Sequence, residues 1–155
     1  MHKIQPMSNA SIPLFLLRDL AIINGERVVK YQQIKRTGEK LELDMAGILS
    51  DMIQQSVVYQ QELTDKISQL DGISMHAKKP GEVYHLWEEE QVMPEGRGRL
   101  QFLTFCEKEE QALQRAYRTV LEHVQAHEDI QFLLERHESD IDYELDHLAR
   151  YRNAL

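Results

Sequence analysis

Residues 99–153 read RLQFLTFCEKEEQALQRAYRTVLEHVQAHEDIQFLLERHESDIDYELDHLARYRN. Apolar side chains recur here every three or four positions, the period of one helix face. One stripe is Leu103, Cys106, Glu110, Leu113, Tyr117, Val120 and Val124; the next is Ile130, Leu134, His137, Ile141, Glu144, Leu148 and Tyr151. Glu110 and Glu144 stand in those stripes where apolar side chains belong. A buried carboxylate is costly unless it is paired, hydrogen-bonded or bound to a metal. The two therefore predict a polar site between packed helices, and His147, one turn after Glu144, adds a Glu-x-x-His step. One unbroken helix of about 55 residues would be near 80 Å long, too long for a compact domain of 155 residues. A break at 127–129 divides the stretch into helices over 99–126 and 129–153.

Working back toward the N-terminus, two further helices are predicted. The first covers 13–36, with Leu17, Leu20, Ala21, Val28, Tyr31 and Ile34 facing inward, Ser11 and Pro13 at its start, and Gly38 as its stop. The second covers 40–70 along Met45, Leu49, Met52, Ser56, Tyr59, Leu63, Ile67 and Leu70, with Gly72 beyond it. Residues 1–11 are polar and expected to be loosely ordered, leaving 12–155 as one bundle domain. The connector 71–98 is long. Pro80-Gly81 and Pro94-Glu95-Gly96 punctuate it around a short helical piece over 82–92. A connector of that length reaches from one end of the bundle to the other. Two antiparallel hairpins joined by one long crossover is the ferritin-like arrangement of an all-α four-helix bundle. Val83, Leu86 and Trp87 are expected to pin the crossover.

Composition narrows the function classes. The net charge of -8 disfavours nucleic acid and anionic membrane surfaces as partners, since both require a basic face. No apolar run approaches the roughly 20 residues of a membrane span. No secretory signal is visible, and the single Cys106 fits a reducing compartment; a cytoplasmic protein is expected, with Cys106 as a small buried hydrophobe. No Gly-rich phosphate loop and no nucleophile motif occurs.

Four features resemble a family of small bacterial ferritin-like four-helix bundles, catalogued mainly as a domain of unknown function. Asn24-Gly25-Glu26 is similar to that family's Asp-Gly-Glu step in the first helix. Glu62-Leu63 leading to Leu70-Asp71-Gly72 resembles the end of its second helix. Trp87 sits in the crossover where the family places a tryptophan, and Glu107, Glu110 and Tyr117 resemble its third-helix Glu-x-x-Glu and tyrosine. The resemblance spans residues 14–152. It implies a ferritin-like bundle and brings no established reaction.

Di-metal proteins of this architecture use one Glu from each of two helices and Glu-x-x-His from the other two. Glu110 and Glu144 lie at similar distances from the turn between their helices and should face each other, with His147 within reach and Glu107 in reserve. Glu26 is the candidate on the first helix. The second helix offers Gln54, Gln55, Val57 and Val58 where ligands are wanted, and helices one and two contain no histidine. Two readings follow. In the first, the bundle has a degenerate or weak metal site and an interaction or stress-related role. In the second, it is a carboxylate-bridged di-iron or di-manganese oxidoreductase whose metal ligands are Glu26, Glu110, Glu144 and His147. Without metal, Glu110 and Glu144 share a proton, bond Tyr59 or Tyr117, or pair with Arg27. His137 is expected as a hydrogen-bonded core histidine. His123 and His127 have zinc-compatible spacing, but a position near the helix C-terminus also accounts for them. A homo-oligomer, most simply a dimer paired through Leu86 and Trp87, is the expected assembly.

Overall fold

The computed structural model describes residues 14–37, 41–71, 79–96 and 98–154. The expected N-terminal segment, the helix start at Ser11 and Pro13, and the stops at Gly38 and Gly72 lie outside them. Five helices account for the secondary structure: α1 (Leu14–Thr37), α2 (Leu43–Asp71), α3 (Glu82–Glu89), α4 (Arg99–Leu121) and α5 (Glu128–Asn153). No strand occurs among the described residues.

Side-chain pairs set the directions of the helices. Arg27 meets Ser56 and Lys35 meets Ser50, so α1 and α2 are antiparallel. Tyr117 meets His137 and Glu107 meets Arg152, so α4 and α5 are antiparallel. Asn24 meets Tyr117 and Tyr31 meets Glu109, which makes α1 antiparallel to α4 as well. It follows that α2 and α4 run parallel, and a chain linking them must return along the bundle.

That return is visible. Gly81 N–H and Tyr84 N–H donate to the two carboxylate oxygens of Asp19 at 2.9 and 3.1 Å, near one end of α1. Gln91 accepts from Lys30 further along. Arg99, at the start of α4, pairs with Glu42 at 2.6 Å and with Asp44 at the other end of the bundle. Asp19 is only 2% exposed and serves α3 as a capping side chain from another helix, giving otherwise unpaired amides an acceptor. A Cβ at Gly81 would stand 3.0 Å from Asp19 Oδ2, so the close approach selects glycine there. Val83, Tyr84 and Trp87 then pack into the core.

Three expectations need correction. Leu86 is 51% exposed and does not hold the crossover; Tyr84 does so in its place. The crossover helix ends at Glu89, short of Val92. The helix expected to reach Ala126 stops at Leu121, where His123 N–H and His127 N–H turn back to Val120 and Val124 carbonyls. Those tight turns leave Val124 on its stripe and fully buried, so the apolar spacing continued past the helix that produced it.

The apolar core falls into two clusters. One gathers Leu17, Leu20, Tyr59, Leu63, Trp87, Leu113, Tyr117 and Leu134. The other gathers Tyr31, Met45, Leu49, Met52, Phe102, Cys106 and Leu148. Cys106 is a free, buried thiol.

Removing the Asp19 carboxylate in Asp19→Ala should cost about 1–2 kcal/mol, the scale of a lost cap with amides left buried. Because Trp87 is the single tryptophan, detachment of the strap is expected as a red shift of native-state fluorescence. An unchanged spectrum and midpoint would contradict the role given to this cap.

Candidate functional site

Polar groups from all four long helices separate the two clusters, and those of α1 lie on its inward stripe. Leu17, Leu20, Asn24, Arg27, Tyr31 and Ile34 recur at intervals of three and four, and all are buried. Arg27, at 0% exposure, is the centre. Its Nη1 donates to Ser56 Oγ at 2.8 Å and Gln55 Oε1 at 3.4 Å, its Nε to Tyr31 Oη at 3.2 Å, and its Nη2 to Glu110 Oε2. Tyr31 O–H passes to Glu109 Oε1 at 2.9 Å, and Lys30 Nζ reaches Glu109 Oε2 at 3.1 Å. Two cations thus face two carboxylates. Burial works against the charge on Arg27, yet Tyr31 and Glu110 hold it firmly protonated. Burial pushes the Glu110 carboxyl up from its ordinary value while Arg27 pulls it back.

From Ser56 the hydrogen bonds continue toward the other hairpin. Ser56 O–H donates to Asn24 Oδ1 at 2.9 Å, and Asn24 Nδ2 donates to Leu20 O at 2.9 Å and Tyr117 Oη at 3.3 Å. Tyr117 Oη and His137 Nδ1 are 2.7 Å apart, and His137 Nε2 and Glu62 Oε1 are also 2.7 Å apart. An ionised Glu62 only accepts, so Nε2 carries the imidazole proton and Tyr117 donates to Nδ1. Every link then has one donor and one acceptor. Tyr59 stacks on the His137 ring at 4.0 Å and donates to the His137 carbonyl. Burial pulls His137 below its ordinary value, against the upward pull of Glu62. The result is one chain of polar side chains through α1, α2, α4 and α5.

The four residues expected as metal ligands are not brought to one point. Glu110 is buried but engaged by Arg27, with Oε1 lacking a hydrogen-bond partner. Glu144 is half-buried on the α2–α5 side; burial pushes its carboxyl up, opposed by His147 and reinforced by Asp51. His147 stacks beside Tyr143 and meets the edge of Tyr151. Glu26 is exposed and accepts from Tyr84 O–H of the strap at 2.8 and 2.9 Å. Among the described residues no group of three or more His, Cys, Asp or Glu side chains could hold an ion. Glu107, the reserve ligand, pairs with Arg152. His123 bonds its own helix at Thr119 O. The donor set therefore does not fit a di-metal centre, because a guanidinium already neutralises its most buried carboxylate.

The sequence named Arg27 as one possible partner of Glu110 and Glu144, which the ion pair with Glu110 bears out; it offered Asn24 only within a family motif and Glu109 not at all. The burial of Arg27 and Asn24 was signalled by the spacing from Leu20 to Tyr31, which runs straight through them. Glu109, 1% exposed, is buried beside Glu110 because α4 meets both α1 and the strap.

Arg27→Met should cost about 3–5 kcal/mol by leaving Glu110 buried without its cation. Arg27→Met with Glu110→Leu should recover much of that loss in chemical denaturation, and additive losses would contradict the pairing. A second outcome concerns acid. Because His137 is depressed in the folded chain, the stability present above its ordinary value of 6.5 is lost as pH falls through its folded value. As pH falls from 6.5 toward that lower folded value, denaturation midpoints of the wild type should fall more steeply than those of His137→Gln, with a limiting slope of about 1.4 kcal/mol per pH unit for one proton. Equal slopes would show that folding leaves the His137 pKa where it is in the unfolded chain, and would contradict the depression.

No protein-family model, no curated protein and no solved structure matches this chain.

Proposed function

We propose that the chain is a ferritin-like four-helix bundle in which an arginine has taken the place of metal at the midpoint, and that it acts by binding a partner rather than by redox chemistry. One observation carries this reading: the fully buried Arg27 hydrogen-bonded to Glu110. A divalent ion bridging at Glu110 would stand beside a permanent positive charge in a medium of low dielectric, where like charges repel strongly. Expelling Arg27 would also cost its bonds to Ser56, Gln55 and Tyr31. Catalysis on dioxygen or peroxide needs open coordination positions; here the polar groups around Arg27 hold one another, with Glu110 Oε1 the exception.

The reading places the protein in the cytoplasm. In support, no described helix is long and apolar enough to cross a membrane, and the lone Cys106 is buried. Dimer formation across the strap would rest on Leu86, because Trp87 is 3% exposed. The competing reading, a carboxylate-bridged di-iron or di-manganese oxidoreductase, draws on the unpartnered Glu110 Oε1 and the neighbouring charge of Glu144.

Metal analysis of protein purified anaerobically from iron- or manganese-replete cells separates the two. Metal well below one ion per chain, unchanged in Glu110→Ala, is the expected result. A stoichiometric complement that disappears in Glu110→Ala would overturn the proposal.

A further inference from the structure

Of the four seams between neighbouring long helices, the one between α2 and α5 is the most open, since these helices make the fewest close backbone approaches. A cleft of about 360 Å³ lies in it, walled by Asp51, Gln54, Gln55, Val58 and Tyr59 from α2 and by Asp140, Tyr143 and Glu144 from α5. Three of those eight side chains are carboxylates, and no Lys or Arg lines the cleft. None of the three carboxylates is ion-paired with a cation among the described residues. Glu144 is half withdrawn from water and feels Asp51 as a like charge. The cleft is also apolar in part: Tyr143 is 67% exposed and Val58 40%. Tyr59 hydrogen-bonds with Asp140 and His147 lies near Glu144, but no Lys or Arg neutralises the three carboxylates beside the exposed aromatic ring and β-branched side chain. The buried carboxylates elsewhere all have cations or N–H donors.

We infer that the α2–α5 cleft is a docking surface for a basic amphipathic segment of a partner protein, its Lys or Arg side chains meeting Asp51, Asp140 and Glu144 and its apolar face meeting Val58 and Tyr143. This rests on the interaction reading above and names the kind of partner it needs. Charge complementarity selects the occupant. Phosphate-bearing ligands are repelled. A second copy paired symmetrically would set the same three carboxylates against themselves, because an isologous contact repeats one patch on both sides. A cationic helix laid along the seam instead offers a match at each point, in the helix-in-groove mode, and Tyr143 offers its ring face to a guanidinium or ammonium. Asp51 and Val58 are seven residues apart on α2, about 10 Å along the axis, a span that two turns of a bound helix would cover.

The test is a titration of the full, 15N-labelled chain with a synthetic Leu/Lys amphipathic helical peptide at about 0.15 M salt, where surface attraction is screened beyond about 8 Å. Saturable shifts confined to residues 51–59 and 140–144 are expected. Asp140→Asn with Glu144→Gln should weaken binding about tenfold or more, the equivalent of about 1.4 kcal/mol. Tyr143→Ala, at an exposed position, should weaken it without moving the melting temperature, and a peptide with Gln for every Lys should not bind. Shifts spread equally over Glu88, Glu89 and Glu90, unchanged affinity in Tyr143→Ala and in the double variant, or peptide-free broadening of the same residues with rising concentration would each overturn the inference. Metal-free protein that ignores the peptide removes this docking surface alone; metal-loaded protein removes the reading beneath it.

Discussion

The guanidinium of Arg27 sits where water does not reach, and the rest of the molecule is arranged around that fact. An unpaired buried cation would be ruinous to a domain whose net stability is only about 5–15 kcal/mol. Each of the three nitrogens of Arg27 therefore meets an oxygen from Tyr31, Ser56, Gln55 or Glu110. Those oxygens come from α1, α2 and α4, so none of these three helices can shift against the others without breaking a bond to the guanidinium. Sliding α1 by one turn against α4 would set Arg27 opposite Cys106 or Leu113, both fully buried and apolar. Buried polar layers of this kind add little net stability, because desolvation offsets the attraction, but they do set register. Greasy clusters above and below supply the stability, and the layer between them supplies the alignment.

Register matters most because of the topology. Parallel α2 and α4 require the chain to travel the length of the bundle, and a strap of that kind has little of its own to hold it. Asp19 fixes one end through two backbone amides, and Arg99 fixes the other through Glu42 and Asp44. Between them Trp87 and Tyr84 fill the groove over α1 and α4. Tyr84 also ties up Glu26, which removes that carboxylate from the bundle midpoint. The strap and the polar layer are thus linked through the two faces of α1: one face turns Arg27 in, the other turns Glu26 out.

Much of this was legible in the chain. The stripes through Leu103 to Val124 and Ile130 to Leu148 gave the inward faces of α4 and α5, because burial of one face imposes a helical period on hydrophobicity. Glu110 stood out for the same reason. The punctuation around residues 80 and 94–96 gave the crossover. Arg27 was legible as one of several possible partners for Glu110; its place at the centre was harder to see, because a basic side chain normally reads as surface and only its spacing from Leu20, Asn24 and Tyr31 marks it as buried. The fate of Glu26 was not legible, since its partner Tyr84 is 58 residues distant and no local pattern records such a meeting. The end of α4 at Leu121 was missed because the next five residues keep the apolar spacing while abandoning the helix.

The identity of the central cation decides between a sealed bundle and a metal enzyme, and the side-chain spectrum of Arg27 reports it directly. In a proton–nitrogen correlation spectrum of the arginine side chains, Arg27 should give separate Nε and Nη signals that exchange slowly with water, as protons fixed by hydrogen bonds in a dry interior do. Those signals should be unaffected by added iron(II) or manganese(II). Rapid exchange like that of surface arginines, or loss of the Arg27 signals when metal is added, would contradict a guanidinium locked to Glu110.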